Sequence, residues 1–272
     1  MAEITPLPAA TVALVRDGNG GLEVLMMQRN LKSGFMPGAH VFPGGGLDDT
    51  DNSPATLALS AGVTDAQACG TLGIERGGLA YWAAAIREAF EEAGLLIAYD
   101  AGRRIVALEA PAVIERFRRH RHALNQGTRS LLDILREERL TLATDQLAYF
   151  SHWITPVSAP RRYDTRFFVA VAPPAQAPLH DNQEIISHLW ARPAAALDRH
   201  RKNDFKLRFP TVRTLEEFSA YSSAAALMKA MRARRNIPAL LPRVSKDGKS
   251  LIPGDPGYEE VVARERQGQW KI

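Results

Sequence analysis

The sequence predicts an α+β fold, a mixed β-sheet flanked by helices. Strand-like alternation occurs both early and late in the chain, helical periodicity lies between and after, and no strict strand-helix-strand repeat orders the two. From Thr11 to Gln28, Val12, Leu14, Leu22, Val24 and Met26 alternate around Asp17-Gly18-Asn19-Gly20-Gly21, which predicts an opening hairpin. Ser33 to Asp51 is punctuated by Gly and Pro and reads as loop, with Ala39–Phe42 its only strand-like piece. Residues 52–79 form a poorly patterned, small-residue excursion. A strong helix is expected from Leu79 to Ala93, stopped by Gly94. Val113, Phe117 and Leu124, then Leu131, Leu132 and Leu135, predict two helices over 112–139, broken near Asn125-Gln126-Gly127. Strands are expected at Leu147–Thr155, Arg166–Val171 and Ile185–Trp190. A helix is expected over Leu215–Arg234, within a C-terminal extension, 211–272, that ends in a Pro/Gly-rich tail.

Composition narrows the class. With 272 residues and 46% hydrophobic content the chain has ample material for a packed core, which excludes disorder as its main state. The single cysteine, Cys69, rules out an internal disulfide and reads as a small apolar residue. No apolar run approaches the roughly 18 residues of a membrane span, and the N-terminal stretch does not read as a secretory signal. A cytoplasmic location is the expectation. Seven of the 34 basic residues are lysines and 27 are arginines, a bias that suits phosphate capture and equally fits an Ala/Arg-rich composition. The run Arg116–His122 lacks interleaved aromatics for base stacking and reads as a solvated helix face, so nucleic acid is not an expected partner.

The informative segment is Arg87-Glu88-Ala89-Phe90-Glu91-Glu92-Ala93-Gly94-Leu95. At about 100° per residue, Glu88, Glu91 and Glu92 share one face of the helix while Ile86, Ala89, Phe90 and Ala93 share the opposite one. Three like charges at this spacing repel. A hard divalent cation ligated by oxygen is the natural compensation, and Arg87, one turn before Glu91, can brace it. Upstream, Phe42-Pro43-Gly44-Gly45-Gly46 places three glycines where a tight turn and a close backbone approach to phosphate or metal are expected.

Together these two segments resemble the signature of the Nudix hydrolases, G-x5-E-x7-R-E-U-x-E-E-x-G-U with U apolar. Arg87 to Leu95 matches at every specified position. Counting from Gly45, Asp51 stands where the family has its first Glu, and the Arg falls at 87 instead of 59, an excess of 28 residues. A long insert at this place, 52–79, resembles the coenzyme A diphosphatase branch of the superfamily. Trp153-Ile154-Thr155-Pro156, Arg161 to Phe168, Asp181 to Glu184, Trp190 and Leu251–Tyr258 also fit that branch.

The resemblance implies the Nudix fold, a sheet sandwiched between helices, in one elaborated domain over 1–272. It also implies water attack on a diphosphate linkage assisted by Mg2+ or Mn2+. Carried over, Glu88, Glu91 and Glu92 become metal ligands with the Gly45 carbonyl a further one, and Arg87 the orienting partner. Glu91, Glu88 and the late-loop residue Glu184 are the candidates for general base. Arg29, Gly44, Gly45, Arg161, Arg162 and Arg166 are candidates for substrate binding. Coenzyme A or acyl-coenzyme A is the expected substrate, giving 3′,5′-ADP and (acyl-)phosphopantetheine. ADP-ribose, NADH, dinucleotide polyphosphates and capped RNA stay open, as does a non-catalytic ligand-sensing module. A homodimer is also left open.

Overall fold

The computed structural model describes residues 4–32, 37–180 and 184–266. The chain opens with β1 (Leu7–Gly18), β2 (Gly21–Arg29), β3 (His40–Val41) and β4 (Gly44–Gly46), then a 3-10 turn (Asp49–Asn52). Next come α1 (Pro54–Ala58), β5 (Ser60–Ala61), α2 (Asp65–Leu72), α3 (Leu79–Ala93), β6 (Ala98–Tyr99), α4 (Pro111–Asn125), α5 (Leu131–Glu138) and β7 (Thr141–Ala143). The main strands resume with β8 (Ala148–Ile154), β9 (Tyr163–Val171) and β10 (Ile185–Ala191), followed by α6 (Pro193–Arg201), α7 (Phe209–Phe218) and α8 (Ala224–Arg232). Short β11 (Ala239–Leu240), β12 (Arg243–Val244) and β13 (Ser250–Leu251) precede α9 (Tyr258–Arg266).

The main sheet runs β10-β2-β1-β9-β8-β11, with β3 added to β2 and β4 to β1. Its centre is parallel, since β1 pairs with β9 from Leu7↔Tyr163 to Val15↔Val171, whereas β1–β2, β10–β2 and β8–β9 are antiparallel. This is the mixed sheet the sequence predicts. Both faces are covered. Val12, Leu14, Leu25, Met27 and Phe168 point toward α3, where Trp82, Ile86 and Phe90 meet them. The intervening Ala13, Val15, Val24, Met26 and Val169 point toward Leu215, Phe218, Leu227 and Met231 of α7 and α8. Because both faces are buried, apolar residues also fill the positions between the alternating ones in β1 and β2.

Three expectations change. The helix expected over Leu215–Arg234 is two helices, because Ser223 accepts from Ala226 N (3.2 Å) and Asp17 Oδ1 accepts from Ala224 N (2.7 Å), restarting the helix at a capped N-terminus tethered to the β1–β2 turn. The excursion at 52–79 is ordered: Thr64 and Gln67 form a capping box on α2, Gly73 ends it in the left-handed region (φ 67°), and β5 joins β7 in a small second sheet. The C-terminal extension is only partly helical, since β11 extends the main sheet and β12 pairs with β13. No helix among the described residues is long and apolar enough to cross a membrane.

Phe168 is fully buried and meets Trp82 edge-on at 4.7 Å between ring centroids. Phe168→Ala is therefore expected to cost about 3–5 kcal/mol in urea unfolding; a loss under about 1 kcal/mol would show that this contact does not anchor α3 to the sheet.

Candidate active site

The carboxylate face of α3 is not solvated. β4 lies over it, and Glu88 and Glu92 are each only 8% exposed. The three glycines of β4 are extended rather than turned, pairing Gly46, Gly45 and Gly44 with Ala9, Ala10 and Thr11. They are absent from the left-handed region, so close approach and not a tight turn accounts for them. A Cβ on Gly45 would lie 2.5 Å from Glu88 Oε1, and one on Gly44 would meet the carbonyl of Ala10 at 2.6 Å. The Gly44 N–H, expected to face a phosphate, donates to Glu92 Oε2 at 3.2 Å.

Arg87 is buried at the centre. Its Nε and Nη2 donate to Asp51 (3.1 and 3.0 Å), Nη1 donates to Glu88 Oε1 (2.9 Å) and Glu91 Oε2 (2.8 Å), and Nη2 also donates to the Gly46 carbonyl (2.7 Å). Asp51 thus reaches the site although the insert separates it from Arg87 in sequence. α3 is held at both ends: Asp65 Oδ1 accepts from Leu79 N (2.9 Å), and Gly94 caps the C-terminus in the left-handed region.

Arg87 faces Asp51, Glu88 and Glu91, and Arg29 acts on Glu92, so carboxylates outnumber guanidiniums. Burial pushes the Glu88 carboxyl up to about 7, against the pull of Arg87 and with the repulsion of Glu91. Burial likewise raises Asp51 and Glu91, and drives Glu92 well above its ordinary value with help from Glu88 and Glu184. Carboxylates crowded into a partly dry pocket and lifted in this way fit a hard divalent ion, whose charge would hold them ionised. Away from this face, His120, Glu137 and Glu138 bring ligand atoms within 4.8 Å of one another. There Arg116 and Arg129 already neutralise the carboxylates.

Tertiary structure adds residues that the signature does not contain. Arg29, at the end of β2, pairs with Glu184 at 2.6 Å, and both act electrostatically on Glu92. The late-loop glutamate therefore stands beside the helix carboxylates. Asp181, named with it in the sequence, lies outside the described residues. Arg161 is exposed on the β8–β9 connection. Arg162 and Arg166, expected at the substrate, are both buried and bonded to protein acceptors, with Arg166 Nε left without a hydrogen-bond partner. Arg162 donates to the carbonyls of Ile4 (2.7 Å) and Thr155 (3.1 Å), while Arg166 meets Asp164 (2.6 Å) and His152 and lies over the Tyr81 ring. Arg116–His122 is likewise not a solvated face throughout: Arg121 is buried, donating to the carbonyls of Glu91 (2.8 Å), Glu92 (2.7 Å) and Leu179 (2.6 Å). Its i+4 spacing from Phe117 and i−3 spacing from Leu124 was the available signal.

The raised Glu88 carboxyl sets a pH dependence. Between 4.5 and about 7 the folded protein keeps a proton that the unfolded chain releases, so this group's contribution is present below 4.5 and is lost as pH rises through about 7. In EDTA the melting temperature is expected to fall from pH 5 to pH 8, with a shallower fall in Glu88→Gln, and added Mg2+ or Mn2+ should restore it at pH 8. A wild-type profile identical to that of the variant, with no response to either ion, would contradict this account.

Known proteins resemble this chain in sequence and in fold. The sequence profile of the NUDT19 Nudix domain matches residues 7–77 and 75–218. The acyl-coenzyme A diphosphatase NUDT19 of Gallus gallus is 32% identical over 286 residues, covering 88% of this chain and 73% of that protein. Its Homo sapiens counterpart is 30% identical over 282 residues with the same coverages. The crystal structure of a Nudix hydrolase from Alicyclobacillus acidocaldarius has a TM-score of 0.69 at 26% identity, covering 84% of this chain and 97% of that one. A carboxylate helix braced by a buried arginine beneath a glycine strand, on a sheet shared with such relatives, assigns this chain to the Nudix hydrolases, in the family of the NUDT19 Nudix domain.

Proposed function

We propose that this Nudix hydrolase cleaves the diphosphate linkage of coenzyme A or acyl-coenzyme A, releasing 3′,5′-ADP and (acyl-)phosphopantetheine. The observation that carries the reading is the buried Arg87–Asp51–Glu88–Glu91 network with Glu92 beside it, in a chain about 30% identical to proteins named acyl-coenzyme A diphosphatase. In this reading the whole chain is one elaborated Nudix domain acting in the cytoplasm, where a lone buried cysteine suits a reducing compartment.

Glu88, Glu91 and Glu92 would hold Mg2+ or Mn2+, with the Gly45 carbonyl as a further ligand. The ion, when bound, neutralises the bridging phosphates and acidifies a water. Arg87 fixes the carboxylates of Glu88 and Glu91 so that little reorganisation is needed when the ion arrives. Glu184 accepts the proton of the attacking water, the new P–O bond forms, and the bridging oxygen leaves with the opposite phosphate. Arg29, 2.6 Å away, orients Glu184. Arg161, exposed on its turn, is available to an outer phosphate, and Gly44 lies close against β1 with its N–H on Glu92.

Glu91→Gln and Glu92→Gln are each expected to lower metal-dependent turnover by at least about 100-fold with an unchanged circular dichroism spectrum; near-wild-type rates in both would sink the ligand assignment. Glu184→Gln is expected to lower kcat by about 100-fold or more while metal affinity, read by calorimetry, stays the same. Weakened metal binding with little change in kcat would make Glu184 a ligand instead. In a panel of coenzyme A, butyryl-coenzyme A, ADP-ribose, NADH and diadenosine polyphosphates, the first two should turn over fastest.

A further inference from the structure

A cavity of about 80 Å3 lies at the C-terminal end of α3, walled by Phe90, Leu108, Ile114, Phe117 and Leu179. Its polar neighbours are already satisfied. Arg121 is held by three carbonyls, the Arg118 guanidinium pairs with Glu115 (2.8 Å), and the Gln176 amide is engaged with Leu96 and Val106. A lining of apolar side chains with no charge seeking a partner favours an apolar occupant. Two of its wall residues, Ile114 and Leu179, are large hydrophobics left 46% and 44% exposed, so the apolar surface continues outward.

Its position ties it to the chemistry. Phe90 and Glu91 are adjacent on α3 and about 100° apart around it, Phe90 lining the cavity and Glu91 bonded to Arg87, so the cavity lies within about one helix diameter, ~10 Å, of the carboxylates. Arg121, which touches the cavity, is bonded to the main chain of Glu91 and Glu92. Leu179 in the wall is five residues from Glu184, beside the carboxylates.

We infer that this cavity seats the acyl end of an acyl-coenzyme A whose diphosphate lies at Glu88, Glu91 and Glu92. This rests on the proposed substrate and adds the place where the acyl group is read. The small volume suits a short chain of a few carbons, and longer chains continue over Ile114 and Leu179. Ala177, exposed and also lining the cavity, controls its mouth.

The test compares coenzyme A with butyryl-coenzyme A, by kcat/KM with Mg2+ and by calorimetric affinity in EDTA, in wild type, Ala177→Phe and Ile114→Gln. Burial of the acyl methylenes is expected to favour butyryl-coenzyme A by about tenfold or more in wild type, in both measurements. Ala177→Phe should abolish the preference and Ile114→Gln should reduce it, each leaving coenzyme A within about twofold of wild type. If wild type hydrolyses both without preference, or both variants weaken the two substrates equally, the acyl seat is overturned while the proposed function stands. If neither is hydrolysed and another nucleoside diphosphate derivative is, the proposed function fails and the acyl seat with it.

Discussion

The buried guanidinium of Arg87 is the interaction on which the site depends. It spans Asp51, Glu88, Glu91 and the Gly46 carbonyl, so one side chain joins the 3-10 turn, the catalytic helix and strand β4. A charge so far from water is tolerable only with its partners in place, and removing one would leave an uncompensated buried charge. The same network leaves a deliberate imbalance. Asp51, Glu88, Glu91, Glu92 and Glu184 share two guanidiniums, those of Arg87 and Arg29, and burial makes the first four hold their protons more tightly than in water.

Anchoring at both ends also explains how the signature survives a long interruption. Asp51 sits just before the insert and Arg87 just beyond it, and their ion pair closes the intervening segment into a loop. The entropic cost of lengthening a closed loop grows only logarithmically, so extra residues are tolerated once the ends are clamped. The insert then stabilises itself. α2 is capped at both ends, Gly78 passes close to the backbone of Ala68 and Cys69, where a side chain would collide, and Asp65 caps α3.

Much of this was legible. Period-two alternation located β1, β2, β8, β9 and β10, and period-3.6 spacing located α3, α4 and α5, because each element buries a face whose repeat is written locally. The shorter pieces escaped. A three-residue strand such as β4 has no period to detect, and its glycines look alike whether they serve a turn or a close approach. The break between α7 and α8 depends on Asp17, some 200 residues away, accepting the Ala224 N–H. The capping box Thr64–Gln67 and the stop at Gly73 were readable, though the weak apolar pattern around them hid the helix.

By itself the sequence determined the helix Leu79–Ala93, its triple carboxylate face, the strands of the opening hairpin and the resemblance to a metal-dependent phosphate hydrolase. The elements follow from spacing along each one, and the resemblance from the match of two segments to a family signature. Only the tertiary structure decided that Asp51 completes the network across the insert, that Arg29 and Glu184 stand beside Glu92, and that Arg162 and Arg166 are buried against protein acceptors. The physical reason is that an arginine's role is set by which acceptors surround it after folding, and those acceptors come from strands, turns and main-chain carbonyls remote in sequence.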